Sequence, residues 1–285
     1  MKRTLVTMML LLGVLTALHI GYRLTIGARA HAQDPSLYLD PKTGEERLVD
    51  TTIVSGSQIG FLFDNNTNNF SSAFADILKE KEMIRIGKLE ESFTFGIPFT
   101  QSFGTLSPGG KATTKGNTIT YPKVWGGSDL KYTVSPERLL EEIIVPTREE
   151  AGKIGDFTQT LNLGKLTARK NDDGSITILK DTQGVVFTIP KPLLYELENK
   201  KVSHNGVVYE LTSEIGGTKL TKRVTDEGKK WLTDPRRHYP VVIDAAVTVA
   251  TSTSGSAIGN SFQSKVFFNP GTSNYWSFYY DGSAI

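Results

Sequence analysis

Closely spaced strand patterns fill the chain between residues 118 and 250, and they exclude most folds for this sequence. Apolar and polar residues alternate there in short runs, as they do on strands with one buried face. Parallel strands would need crossover helices that this stretch lacks. The pattern predicts a mainly β protein, an antiparallel β-sandwich built of hairpins. Dipeptides that suit tight hairpin turns separate the runs at Asp173-Gly174, Asn205-Gly206 and Gly216-Gly217.

Two helices are predicted beside these strands. An apolar stripe at helical spacing predicts an N-terminal helix over residues 71–83. A shorter helix is predicted near residues 226–232, because Thr225 can cap its first amides and Asp234-Pro235 stops it. The members of the apolar stripe are Phe70, Phe74, Ile77 and Leu78.

The first 32 residues have the features of a secretory signal peptide. Lys2 and Arg3 precede an apolar run over residues 5–22, and Ala30 and Ala32 are the small residues that a signal peptidase accepts. Cleavage after Ala32 is therefore predicted. The apolar run is close to the shortest length that crosses a membrane, so a retained N-terminal anchor stays open as the alternative. In either case the rest of the chain is predicted to be secreted or at the cell surface.

Charge and composition narrow the possible partners. The leader contains four of the 32 basic residues and none of the 30 acidic ones, so its removal changes the net charge from +2 to about −2. A chain this nearly neutral has no overall field that would steer it onto nucleic acid, so no nucleic-acid partner is predicted. The sequence has no cysteine, and only His204 and His238 lie beyond the leader. This composition excludes thiol catalysis and zinc–thiolate sites, and no cofactor or metal is predicted.

Changes in composition predict the domain organisation. After the leader, residues 33–83 form an N-terminal segment that includes the predicted helix, and residues 84–250 form the β-sandwich domain. Residues 251–285 begin with a Ser/Thr-rich linker and continue as the start of a further β module. Because the chain stops soon after the turn signal Asp281-Gly282, this module is expected either to be truncated or to pair with earlier strands.

An aromatic strip near the C-terminus is the candidate ligand site. Exposed aromatic rings stack on the apolar faces of sugars, so the strip is a candidate glycan platform. Alternation along a strand would place half of these rings in a core, and a purely structural role stays open as the alternative. The candidate residues are Tyr275, Trp276, Tyr279 and Tyr280.

The spacing of chemically active residues predicts no catalytic site. Adjacent carboxylates such as Glu141-Glu142 point to opposite faces of a strand, and so cannot flank one glycosidic bond. His204 is expected in an exposed turn and His238 at the start of a strand, and no Gly-x-Ser-x-Gly elbow occurs. No catalytic residue is predicted, and two carboxylates distant in sequence could still meet in a cleft.

Several motifs resemble the β domain of large exported bacterial proteins. Residues 118–134 read TITYPKVWGGSDLKYTV, residues 186–192 read VFTIPKP, and residues 239–244 read YPVVID. In this order they resemble a domain of surface proteins that carry DNRLRE-type or RHS-repeat modules, and the likeness covers about residues 118–248. The resemblance implies a structural, non-catalytic module, and it transfers no catalytic residue to this sequence.

Two functional hypotheses follow from the sequence. The first is a non-catalytic exported module for display or adhesion at the bacterial cell surface, with a glycan or a cell-envelope protein as its partner. The alternative is the N-terminal part of a carbohydrate-binding or glycan-processing protein, because the sequence after residue 262 looks like the opening strands of a sialidase-like propeller. Contact with a membrane is predicted only if residues 5–22 remain as an anchor.

Overall fold

Antiparallel strands make up most of the computed structural model. It describes residues 37–40, 43–56, 58–98, 110–125, 127–181, 184–199, 201–214, 217–249, 265–269 and 274–278. Within these ranges there are 22 strands and two short helices. The prediction of a mainly β, antiparallel fold is therefore confirmed.

The strands in chain order are β1 (Leu37–Leu39), β2 (Glu46–Leu48), β3 (Val54–Ser55), β4 (Phe63–Asn65), β5 (Ser71–Phe74), β6 (Ile84–Lys88), β7 (Glu91–Gly96), β8 (Thr113–Lys115), β9 (Thr118–Trp125), β10 (Ser128–Val134) and β11 (Arg138–Val145). They continue as β12 (Phe157–Asn162), β13 (Thr167–Lys170), β14 (Ile176–Lys180), β15 (Gly184–Ile189), β16 (Leu193–Glu196), β17 (Val202–Ser203), β18 (Val207–Glu214), β19 (Gly217–Val224), β20 (Val241–Val249), β21 (Lys265–Asn269) and β22 (Asn274–Phe278). The helices are α1 (Arg148–Gly152) and α2 (Asp226–Thr233).

Two large sheets contain most of the described strands. Sheet I has the order β13-β14-β15-β20-β11-β10-β9-β8, and β16 pairs with β20 next to β15 and carries β17. Sheet II has the order β18-β19-β12-β7-β6-β5-β4-β3. The pairs β1–β2 and β21–β22 form two-stranded sheets. The chain passes repeatedly between sheets I and II, so each sheet combines strands that are distant in sequence.

Alternation along the central strands creates the core of the sandwich. In β10 every second residue is buried, from Ser128 to Val134, because successive side chains point to opposite faces of a sheet. Aromatic rings from both sheets meet in the core: Tyr132 of sheet I lies 6.1 Å from Phe74 and 6.0 Å from Phe95 of sheet II, measured between ring centroids. These contacts hold the two sheets together by burying large apolar surfaces.

The predicted helix over residues 71–83 is wrong. Ser71–Phe74 is strand β5, which pairs with β4 on one side and with β6 on the other. Ser72, Ala73 and Phe74 are all buried, so both faces of this strand are covered. A strand buried on both faces shows no alternation, and residues four apart lie on the same face of a strand as well as of a helix. The apolar spacing was therefore compatible with both structures.

The second predicted helix is confirmed as α2, Asp226–Thr233. The Thr225 side chain accepts a hydrogen bond from the Gly228 amide at 3.0 Å, which satisfies one of the free amides at the helix start. Helix α1 was not predicted. It has five residues and is capped by Thr147 in the same way. A helix of little more than one turn is too short to show a helical periodicity in the sequence.

The described residues include none of the predicted leader and two short strands near the C-terminus. The leader with Ala30 and Ala32 lies outside the described residues, so cleavage after Ala32 stays a prediction. After residue 250 the described residues are the antiparallel pair β21–β22, in which Phe268 lies opposite Tyr275. Among the helices described, none is long and apolar enough to cross a membrane.

Candidate functional site

A cluster of charged and aromatic side chains lies where the chain leaves helix α2. We call it the Glu196–His238 corner, and its members are Glu196, Trp231, Arg236, Arg237 and His238. Asp234-Pro235 ends the helix, because proline disfavours a helical conformation in the residue before it. The Asp234 carboxylate then accepts hydrogen bonds from the amide of Arg236 at 2.9 Å and from its guanidinium at 2.7 Å. This turn places Arg236, Arg237 and His238 directly after the helix.

The carboxylate of Glu196 organises the corner from below. Its side chain is 0% exposed. It accepts hydrogen bonds from Arg237 at 2.9 Å, from the Asn199 amide at 3.1 Å and from the backbone N–H of His238. Burial alone would raise the pKa of Glu196, but these donors and the charge of Arg237 hold it below its ordinary value. Glu196 is therefore an anion at neutral pH.

The imidazole of His238 lies between this anion and solvent. Its Nδ1 atom is 3.6 Å from Oε2 of Glu196, and 62% of the side chain is exposed. A carboxylate beside one ring nitrogen orients the imidazole. The corner thus contains a histidine whose other ring nitrogen is available for proton transfer.

Two arginines flank the histidine in different environments. The guanidinium of Arg237 lies 4.7 Å from the ring centroid of Trp231 and is 14% exposed, so it is fixed by stacking and by its bond to Glu196. Arg236 is 81% exposed. Its partner Asp234 has a pKa held well below the ordinary value, first by the hydrogen bond from Arg236. Arg148 of α1 donates to the carbonyl of Pro235 at 2.6 Å, which ties the turn to a second element.

A second polar cluster lies inside the sandwich. We call it the inter-sheet network, and it consists of Tyr132 and Glu141 from sheet I with Gln159 and Lys222 from sheet II. Lys222 donates to Glu141 and, at 2.9 Å, to Oε1 of Gln159. Gln159 and Tyr132 each donate to Oε2 of Glu141 at 2.7 Å. Burial, and then the charge of Glu141, raises the pKa of Tyr132 well above its ordinary value, so the phenol remains a donor.

The space next to this network is too small for a substrate. A cavity of about 20 Å³ is lined by Glu141, Gln159 and Lys222 together with apolar residues such as Phe93 and Leu220. That volume matches about one water molecule. The network therefore belongs to the interior of the protein, whereas the Glu196–His238 corner is the cluster that a macromolecule can reach.

The opposite face of sheet I carries a pair of acidic residues, Glu142 of β11 and Asp244 of β20. Glu142 lies directly across from Asp244, and it is bound by Lys131 at 2.7 Å and by the hydroxyl of Tyr195 at 2.8 Å. Oδ1 of Asp244 is buried without a hydrogen-bond partner among the described residues. Burial, followed by the charge of Glu142, raises the pKa of Asp244 from 3.8 to about 6.

The raised pKa of Asp244 predicts a stability that depends on pH. The folded protein binds this proton more tightly than the unfolded chain, so the contribution is present below about pH 4 and is lost as the pH rises through about 6. Asp244→Asn is therefore expected to increase the free energy of unfolding at pH 7 by about 1–3 kcal/mol, and by little at pH 4. Urea denaturation of both proteins at the two pH values measures this. Asp172→Asn, an exposed turn residue, is the control, and equal effects of both changes would contradict the prediction.

The sequence-predicted site residues lie elsewhere. Tyr275 and Trp276 are in β22, across from Phe268 and Phe267, while Tyr279 and Tyr280 lie outside the described residues. The assignment of these four residues to a ligand site therefore stays a prediction. His238 was predicted to have no catalytic role, because it was placed at the start of a strand and no Gly-x-Ser-x-Gly elbow occurs. Its partner Glu196 is distant in the chain. Only the fold brings these residues together.

Comparison with known proteins gives similarity to nucleases. No family model matches the chain. It is 32% identical over 144 residues to the tRNA nuclease WapA of Bacillus subtilis strain 168, and 31% identical over 144 residues to the tRNA3(Ser)-specific nuclease WapA of Bacillus spizizenii. A tRNA(Glu)-specific nuclease WapA of Bacillus subtilis subsp. natto matches at 32% identity. Each match covers 49% of this chain and 6% of the relative, so the chain spans a small part of their length.

These matches correct four predictions made from the sequence. The non-catalytic display or adhesion module, its carbohydrate-binding alternative, the absence of enzymatic activity and the absence of a nucleic-acid partner are all contradicted by relatives named tRNA nucleases. Net charge was a poor guide to the partner, because it averages over the whole chain. Individual groups can still reach solvent on a nearly neutral protein, as Arg236 and His238 do here, although the two arginines of the corner are paired with Asp234 and Glu196.

Proposed function

We propose that this chain is part of a protein that cleaves tRNA, and that the Glu196–His238 corner is the surface that faces the RNA. The observation that carries the proposal is the 32% identity, over about half of the chain, to a protein named tRNA nuclease. The chain spans 6% of that relative. The proposal for the chain itself therefore depends on the chemistry of its own surface.

The corner offers the groups that RNA cleavage requires. When the 2′-hydroxyl attacks the neighbouring phosphorus, one group must accept the hydroxyl proton, and histidine does this near neutral pH. His238 is exposed and is held against the buried Glu196 anion. The guanidinium of Arg236 is exposed, and Asp234 binds its Nε and Nη2 atoms, so its Nη1 side can donate to phosphate oxygens. The described geometry thus combines a proton acceptor with a cation that can bind phosphate.

We also propose that the protein with this activity is exported from a bacterial cell. Residues 1–32 support export, because a basic start, an apolar run and small residues follow one another there as in a signal peptide. The resemblance of residues 118–248 to a domain of large exported proteins supports the same location. We therefore propose that the protein acts outside the cytoplasmic membrane of the cell that makes it.

A cleavage and binding assay with the full chain tests the proposal. Labelled tRNA is incubated with the purified chain in magnesium and in EDTA, beside a DNA oligonucleotide of the same sequence. We expect the tRNA to be cleaved and the DNA to remain intact, because only RNA has the attacking 2′-hydroxyl. Specific retention of tRNA without cleavage would still place the RNA-facing surface on this chain. A chain that neither cleaves nor retains tRNA would contradict the proposal.

A further inference from the structure

We propose that Lys222 and Gln159 become joined by an intramolecular amide bond, formed inside the sandwich with Glu141 as the proton-transfer group. This modification is independent of the proposed nuclease function. Three side chains carry the inference: a primary amine, a carboxamide that can acylate it with loss of ammonia, and a carboxylate that contacts both. The nucleophile, the acyl donor and the acid–base group contact one another and are all buried.

The geometry places one carboxylate against both reacting groups. Lys222 Nζ is 2.9 Å from Oε1 of Gln159 and also contacts Oε1 of Glu141. The leaving nitrogen, Nε2 of Gln159, is 2.7 Å from Oε2 of Glu141. Tyr132 donates to the same oxygen at 2.7 Å and so fixes the carboxylate. Glu141 can therefore take a proton from the amine and deliver one to the leaving group.

Neighbouring strands keep the amine and the carboxamide together. Phe157 pairs with Lys222, and Gln159 pairs with Leu220, in the β12–β19 ladder. Gln159 and Lys222 are thus diagonal neighbours on one face of sheet II, the arrangement in which long side chains touch. Because the two reacting groups are held in contact, no bimolecular encounter is needed, and this raises the reaction rate by several orders of magnitude.

The surroundings shield the three reacting groups from solvent. Lys222 is 1% exposed, Gln159 3% and Glu141 6%, and apolar residues such as Phe93 and Phe95 line the adjoining cavity. Two opposite charges are costly to keep in such an interior. Transfer of one proton from the ammonium to the carboxylate removes both charges and leaves a nucleophilic amine.

The reaction balances without any co-reactant. Glu141 accepts one proton from the Lys222 ammonium, and the neutral Nζ attacks Cδ of Gln159 to form a carbon–nitrogen bond. A second proton passes from Nζ through Glu141 to Nε2. The bond between Cδ and Nε2 then breaks, and ammonia leaves. The products are a secondary amide, ammonia and protonated Glu141, so the total charge is unchanged and nothing is oxidised or reduced.

Intact-protein mass spectrometry of the full chain tests the bond. The expected mass is about 17 Da below that calculated from the sequence, the mass of one ammonia. Trypsin should then release residues 154–165 joined to residues 220–223, because an acylated Lys222 is no longer a cleavage site. A wild-type mass equal to the sequence mass overturns the proposal. A loss of about 18 Da, which is one water, with Lys222 joined to Glu141, also overturns Gln159 as the acceptor.

Two neighbouring carboxylates provide a matched pair of variants. Glu141→Gln removes the proton-transfer group and is expected to restore the sequence mass. Glu142→Gln changes the adjacent residue, which faces Lys131 and Tyr195 on the other side of the sheet, and should keep the full deficit. Retention of the deficit in Glu141→Gln would overturn the role of Glu141. The wild-type peptide map decides the bond itself, whether or not the variant folds.

Discussion

Replacing His238 with alanine is expected to slow tRNA cleavage by the chain about 100-fold, because a general acid–base group contributes at least that factor. Binding of tRNA should weaken far less, since Arg236 remains to contact phosphate. The side chain is 62% exposed, so its removal leaves the core intact. Single-turnover cleavage rates and tRNA affinity, measured on the same preparations, separate the two effects.

His204→Ala is the matched control for this prediction. His204 and His238 are the histidines beyond the leader, and His204 is also exposed, but it is not part of the Glu196–His238 corner. The control should cleave tRNA at the wild-type rate. Equal rates for wild type and His238→Ala would remove His238 from the chemistry, and equal losses in both variants would point to a general effect on folding.

Turn dipeptides predicted the hairpins with different success. Asp173-Gly174 joins β13 to β14, and Gly174 has a φ of 86°, as the sequence suggests. Asn205-Gly206 does not close a hairpin, because β17 belongs to sheet I and β18 to sheet II. There the glycine is needed for space: a Cβ on Gly206 would lie 2.4 Å from Cδ1 of Leu194. Sequence showed where the chain turns, whereas packing decided which sheet it enters.

Burial on both faces explains why β5 was mistaken for a helix. Apolar and polar residues alternate along a strand when only one of its faces is buried, as in β10. In β5 the flanking strands and the packing above and below cover every residue from Ser72 to Phe74. With alternation lost, only the spacing of the large residues remained, and Phe70 and Phe74 satisfy both periods.

The polar clusters could not be predicted from spacing, because their members are far apart in the chain. Glu141 and Lys222 are 81 positions apart, and Glu196 precedes Arg237 by 41. One local inference did anticipate part of the arrangement. Adjacent glutamates on a strand point to opposite faces, and the structure places Glu141 between the two sheets with Lys222 and Glu142 on the other face of sheet I with Lys131. The sequence showed that the two glutamates point to opposite faces, and only the assembled sheets showed which residues bind them.

Replacing Lys222 with alanine is expected to lower the free energy of unfolding by about 3–5 kcal/mol. An unbonded Lys222 is the counter-charge of the buried Glu141 carboxylate, and a Lys222 bonded to Gln159 cross-links the chain, so either state is lost in the variant. Lys219→Ala on the same strand is the control. Lys219 pairs with Glu214 at the surface, where the two side chains are 40% and 47% exposed, and such pairs contribute less than about 1 kcal/mol. Urea denaturation measures both, and similar losses in the two variants would contradict the prediction.

The double variant Lys222→Met with Glu141→Leu separates charge from covalent constraint. If the two residues act only as a buried ion pair, apolar side chains of similar size should restore most of the stability lost in Lys222→Ala, since the stranded charge has gone. If Lys222 is bonded to Gln159, 63 positions away, the bond also stabilises the wild type, because it restricts the conformations of the unfolded chain. By analogy with a disulfide that closes a loop of this length, that gain is about 4 kcal/mol. We therefore expect the double variant to remain less stable than the wild type by about that amount, and full recovery would contradict the bond.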